Sequence, residues 1–169
     1  HCVSVGEFRA ATVLIDQLIL NYSDHRILVT TTTHTGSQAV LGHYQSEVLH
    51  FYFPFDLPLI LNRYIKQINP AICIILETEI WPNLIHTLNK NNIPCLLVNA
   101  RLSQQSLEKY QKFAPNLAQQ TLNKLSVIAT QNQNSANRFI ELGTNTGKVV
   151  VTGNIKFDQN PSADKTISK

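Results

Sequence analysis

Charge is sparse and nearly balanced: 14 Lys and Arg against 11 Asp and Glu leave a net charge of +3. No dense Lys/Arg run occurs, so the chain permits an anionic partner but lacks the basic patch that nucleic acid demands. Cysteine is scarcer. The three thiols, Cys2, Cys73 and Cys95, are odd in number and lack CxxC spacing. That excludes a disulfide framework and a zinc ribbon; Cys73 and Cys95 lie in apolar runs and read as buried thiols of a reducing compartment. The six histidines are scattered without HExxH or a paired spacing, so no metal site is expected and nothing asks for a cofactor. No apolar stretch reaches the roughly 20 residues of a membrane span. The best run, "ATVLIDQLIL" (11–20), is interrupted by Asp16 and Gln17. No signal peptide, repeat or low-complexity segment is visible, and the chain opens on His1, as a piece cut from a longer protein would.

What is present is a regular alternation. At 169 residues and 43% hydrophobic the chain fits one folded domain with a sizeable core. Apolar runs predict strands at 26–31, 47–53, 71–76, 94–100, 125–130 and 148–153, after a first strand at Cys2 and Val3. Helical patterns fall at 8–20, about 36–43, 57–68, 82–91, 104–124 and 133–142. In "DLPLILNRYIKQI" the positions Leu57, Leu61, Tyr64 and Ile68 share one helical face. Pro70 closes that helix and Pro82 suits the first turn of the next. Alternation of this kind implies parallel βαβ units, and runs such as "CIIL" and "CLLV" imply strands covered on both faces. The expected fold is an α/β, Rossmann-like, doubly wound parallel sheet over residues 1–158, with 159–169 a linker or frayed tail.

In open α/β sheets ligands bind beyond the carboxyl ends of the strands, so the residues there are the ones to read. "SVGE" (4–7) follows the first strand. Glu7 has two readings: an acid favoured by the helix dipole, or a general base kept ionised by that dipole. Gly6 beside it permits close approach of a substrate. "TTTTHTGS" (30–37) holds one glycine and neither GxGxxG nor GxxxxGK[ST]. It offers hydroxyls and a helix start, with Thr35, Gly36 and Ser37 placed to receive an anion. "ETE" sets Glu77 and Glu79 directly beyond a core strand, where a capping role for Glu79 is the default and a catalytic pair the alternative. Trp81 suits a core anchor as well as a sugar platform. Lys156 and Arg101 are either solvated cations or holders of a phosphate or carboxylate.

Taken together, "SVGE", "TTTTHTGS", "PFDLP", "LETEIWPNLI", "NARLS" and "VTGNIKFD" resemble, in order over nearly all of residues 1–158, the landmarks of the bacterial 3-deoxy-D-manno-octulosonic acid (Kdo) transferases. The resemblance implies the N-terminal, acceptor-side half of a GT-B glycosyltransferase. Such enzymes move Kdo from CMP-Kdo to a lipid A precursor in lipopolysaccharide synthesis, with inversion and without a metal. It also implies a location at the cytoplasmic face of the inner membrane. The donor-binding C-terminal domain and an N-terminal anchor would lie outside this chain, leaving the isolated piece inactive. The family's catalytic base falls on Glu7, and its two transition-state stabilisers on Glu77 and Lys156. Glu77 either favours the oxocarbenium-like charge or tunes Glu7. Ser4, Gly6, Thr35, Gly36, Ser37 and Arg101 are the candidate substrate contacts. Phe8, Arg9 and the apolar positions of "ATVLIDQLIL" are candidates for membrane contact, unless that helix spends its apolar face on the sheet. Two other classes stay open: another GT-B enzyme such as a sugar-nucleotide epimerase, and a non-catalytic Rossmann-like module whose strand-end acids only start helices.

Overall fold

The computed structural model describes residues 1–158, so the expected tail at 159–169 lies outside the described residues. Strands and helices alternate: α1 (Val5–Asn21), β1 (Leu28–Thr31), α2 (His34–Tyr44), β2 (Leu49–Tyr52), α3 (Pro58–Ile68), β3 (Cys73–Leu76), α4 (Pro82–Lys90), β4 (Cys95–Ala100), α5 (Gln104–Phe113), α6 (Pro115–Leu122), β5 (Val127–Thr130), α7 (Gln133–Glu141) and β6 (Val149–Val151), closed by a 3-10 turn at Ile155–Asp158. All strand pairs are parallel: β1 with β2, and β3, β4, β5 and β6 in that order.

The expected first strand is only a stub, but it joins the two ladders. Cys2 N–H donates to Thr30 O at 3.0 Å on one side, and Leu76 N–H donates to His1 O at 3.2 Å on the other. The spatial order is therefore β2, β1, the stub, β3, β4, β5, β6. The stub ends early because Ser4, with an extended φ of −126°, already caps α1. Two core clusters result. One packs Phe8, Ala11 and Ile15 of α1 on Val29, Val40, Tyr44 and Leu76; the other gathers Leu61, Ile75, Leu84, Leu97, Ile128 and Phe139. Ile75 and Leu76 are successive strand residues and so point to opposite faces, which puts helices on both sides of the sheet.

Three expectations are corrected. The helix expected at 104–124 is two helices: Pro115 opens α6, and Ala114 before it adopts φ −152°, because a residue preceding proline is disfavoured in the α region. On α3 the buried residues are Leu61 and Ile65, while Leu57 precedes the helix and is exposed. On α1, Phe8 is only 2% exposed and packs on the sheet with Ala11 and Ile15. It therefore offers no lipid contact.

Candidate active site

Glu7 stands in the first turn of α1, where Ser4 Oγ accepts its N–H at 3.3 Å. Its own Oε2 reaches back to accept Val3 N–H at 2.7 Å. This is a reciprocal cap, displaced by one residue from the usual capping box. The corner is held from the second side by Thr32 Oγ1 and Thr33 Oγ1, which donate to Val3 O at 3.1 and 3.4 Å. The first-turn acid and the positioned carboxylate are thus one residue. Burial pushes the Glu7 carboxyl above the ordinary glutamate range; the Val3 hydrogen bond pulls it down, and the charges of Glu77 and Glu79 raise it again. Next to it Gly6 is exposed, and an added Cβ there would meet nothing closer than Ser4 Oγ at 3.8 Å.

Glu77 follows β3 in the left-handed region, with φ +61°. That is uncommon for a non-glycine residue and is found disproportionately at functional sites. Its N–H donates to Val98 O at 2.9 Å. Its Oε1 is buried without a hydrogen bond, and Lys156 Nζ lies 3.1 Å away as its ionic partner. Lys156 rides on the 3-10 turn Ile155–Asp158, which packs against α1. Glu7, Glu77 and Lys156, far apart in sequence, converge at the carboxyl edge of the sheet where its two halves meet.

The remaining candidates divide. Thr33 caps α2 by accepting Gly36 N–H at 3.1 Å. Gly36 and Ser37 are buried in that helix start, leaving Thr35 exposed. A Cβ on Gly36 would come within 2.9 Å of Thr33 Oγ1 and 3.3 Å of Thr31 Cβ, so this glycine is needed for packing. Arg101 is exposed just beyond β4 and makes no hydrogen bond or ion pair among the described residues. Trp81 packs edge-on against Phe53, with ring centroids 5.1 Å apart, and acts as a core anchor. The cap expected of Glu79 is supplied elsewhere: Asp56 of "PFD" accepts Asn83 N–H at 3.2 Å and Leu84 N–H at 2.9 Å, closing the α4 start. Glu79 is half-buried and raised by burial, with the Trp81 indole opposing.

Sequence reasoning quoted Asn99 only as the first residue of "NARLS" and gave it no role. It is 1% exposed, sits in the left-handed region at φ +56°, and its Oδ1 accepts Ile155 N–H at 3.2 Å. The only signal was an asparagine at a strand end, a residue type that tolerates left-handed backbone.

A profile of the family described as 3-deoxy-D-manno-octulosonic-acid transferase (kdotransferase) matches residues 1–159. The chain belongs to this family. It is 44% identical over 160 residues to a 3-deoxy-D-manno-octulosonic acid transferase of Haemophilus influenzae, covering 95% of this chain and 37% of that protein. It is 34% identical to a probable mitochondrial 3-deoxy-D-manno-octulosonic acid transferase of Arabidopsis thaliana, over 93% of this chain and 35% of that one. The chain thus spans little more than a third of the length of these Kdo transferases. Among solved structures, a UDP-N-acetylglucosamine 2-epimerase superposes with a TM-score of 0.60 at 16% identity, covering 90% of this chain and 47% of that chain. A second, from Neisseria meningitidis and bound to UDP-GlcNAc, gives 0.54 at 16% identity over 88% of this chain and 44% of its own. At such identity the likeness shows the fold alone, that of a Rossmann-like half of the GT-B architecture. Family membership decides against the epimerase alternative.

Proposed function

We propose that this chain is the acceptor-side half of a Kdo transferase that moves Kdo from CMP-Kdo to a lipid A precursor, with inversion. The observation that carries the reading is the Glu77–Lys156 pair, 3.1 Å across, at the strand ends of a GT-B half-domain, with Glu77 near enough for its charge to raise the Glu7 carboxyl. The Glu7 carboxylate takes the proton of the acceptor hydroxyl as that oxygen bonds to the anomeric carbon of Kdo. The bond from that carbon to the CMP phosphate oxygen breaks in the same step, and CMP leaves with the electron pair. Lys156 offsets the negative charge growing on the donor side, and Glu77 holds it there. A carboxyl raised by burial and by neighbouring acids is a stronger base than an exposed one once ionised, which suits it to a hydroxyl proton. No step uses a metal.

The lipid acceptor places the enzyme against the cytoplasmic face of the inner membrane. Support for a membrane-facing surface comes mainly from the segment after β2; on α1 Phe8 is buried, but Leu20 is 75% exposed. Phe55 is 81% and Leu59 87% exposed, and the exposed cations Arg63 and Lys66 share a helical face with Leu59. Apolar area beside cations is what an anionic bilayer surface attracts. The test is transfer of radiolabelled Kdo by the full-length protein from CMP-Kdo to a lipid A precursor. Labelled lipid is expected; its absence with an active control enzyme in parallel overturns the reading.

A further inference from the structure

The geometry points to Asn99 as the positioning residue of the Glu77–Lys156 pair, a role that rests on the transferase reading above. β4 does not pair evenly with β5: the register shifts between Leu97 and Ala100, so Val98 and Asn99 bulge at the carboxyl end. The bulge is locked. Asn99 takes φ +56°, and Gln131 Nε2 donates to its carbonyl at 3.1 Å. From this fixed dipeptide two contacts run to the two halves of the ion pair. Val98 O accepts Glu77 N–H at 2.9 Å, and Asn99 Oδ1 accepts Ile155 N–H at 3.2 Å, one residue before Lys156.

The second contact matters because the turn, which packs against α1, has no other backbone hydrogen bond to the sheet among the described residues. After Thr152, whose N–H donates to Thr130 O at 3.0 Å, the backbone hydrogen bonds of Lys156 and Phe157 are both to Asn154 within the turn, at 3.0 Å each. Among the described residues the Asn99 side chain is thus the hydrogen bond that ties the turn's backbone to the sheet. Gly153, at φ +88°, gives the approach to the turn its freedom. The Lys156 side chain is half exposed, so solvent screens its pairing with the buried Glu77 Oε1, and that pairing holds the side chain rather than the turn's backbone. The acceptor must be Oδ1, since it faces an N–H; Nδ2 is buried without a partner. An aspartate at 99 therefore keeps the tether and forfeits no hydrogen bond.

The variants separate tether from backbone. Asn99→Gly keeps the left-handed conformation and loses the tether; Asn99→Asp keeps both. In the full-length enzyme, Asn99→Gly is expected to lower kcat roughly tenfold to a hundredfold, the scale of about 1 Å of misplacement, with KM for the acceptor little changed. Asn99→Asp keeps the acceptor but adds a carboxylate at a 1%-exposed position, so it is read by hydrogen exchange and not by rate. In a Lys156→Met background Asn99→Gly is expected to add nothing, because the two act as one unit. Hydrogen exchange across 153–158, read on the same proteins without substrate, is expected to quicken in Asn99→Gly and not in Asn99→Asp. Unchanged exchange overturns the tether. Quickened exchange with unchanged kcat, or losses that multiply with Lys156→Met, overturns the positioning role. A wild type without Kdo transfer, with exchange behaving as stated, faults the transferase reading and leaves the tether standing.

Discussion

The two sides of the candidate site are built by different means. On the α1 side, Glu7 is placed by a local cap running from Val3 to Glu7, with Ser4 and Val3 as partners and ordinary helical backbone. On the β3–β6 side, Glu77 stands at φ +61° and Asn99 at φ +56°, and Lys156 is brought in by contacts from distant strands. The difference teaches where each side is vulnerable. The α1 side loses stability when its local caps are cut, whereas the strand-end side is tuned through geometry and charge.

The largest effect is expected on the α1 side. Glu7→Gln in the full-length enzyme should cost roughly 10²–10⁴-fold in kcat, the usual loss for a positioned base, with circular dichroism unchanged. The sign of the pH dependence follows from the raised carboxyl of Glu7. Activity needs the carboxylate, so kcat/KM should fall, as pH drops, at a pH above the ordinary glutamate range. Glu77→Gln removes a charge that raises Glu7, so whatever activity remains should have its acid limb moved to lower pH. A limb that stays put would separate the two acids.

How legible each side was in the sequence follows the same division. Glu7 could be singled out because capping is local: a serine, then an acid three positions on, then an apolar period. The strands were legible as short apolar runs between breakers, and parallel pairing followed from the helices between them. The break at Pro115 was missed because the apolar positions Leu107, Tyr110, Ala118 and Leu122 suggest one long helix across it. Glu77 and Lys156 stood out singly at strand ends and took their catalytic roles from resemblance to a family; nothing in the spacing joins those positions, and left-handed backbone at a glutamate leaves no trace in sequence. Asp56 was invisible as a cap for the corresponding reason, since the helix it closes begins far along the chain.

Stability should separate the sides next. Gly36→Ala puts a methyl 2.9 Å from the Thr33 oxygen that caps α2. Overpacking of that kind costs about 1–3 kcal/mol, which a urea midpoint would register. If the variant is as stable as the wild type and only acceptor KM rises, Gly36 serves substrate rather than packing. Ser4→Ala should cost about 1 kcal/mol through the lost cap, and it should also lower kcat, since the same corner orients Glu7. A loss of stability without loss of rate would show that the Val3 contact alone positions the carboxylate.

The smallest effect is expected at Glu79, whose carboxyl is raised by burial against the opposing influence of the Trp81 indole. A carboxyl raised in the folded state binds its proton more tightly there than in the unfolded chain. Its contribution to stability is therefore full below the unfolded value and is lost as pH rises through the raised one. At neutral pH the half-buried charge is a burden, and Glu79→Gln should raise Tm. Because solvent screens the site, the rise should not exceed about 2 °C, and it should vanish in acid, where the wild-type carboxyl is itself neutral. Glu79 also adds to the raised carboxyl of Glu7, so the same substitution should move the acid limb of kcat/KM slightly downward, by less than Glu77→Gln does. A variant that gains stability but leaves the limb unmoved would place Glu79 wholly on the structural side of the site.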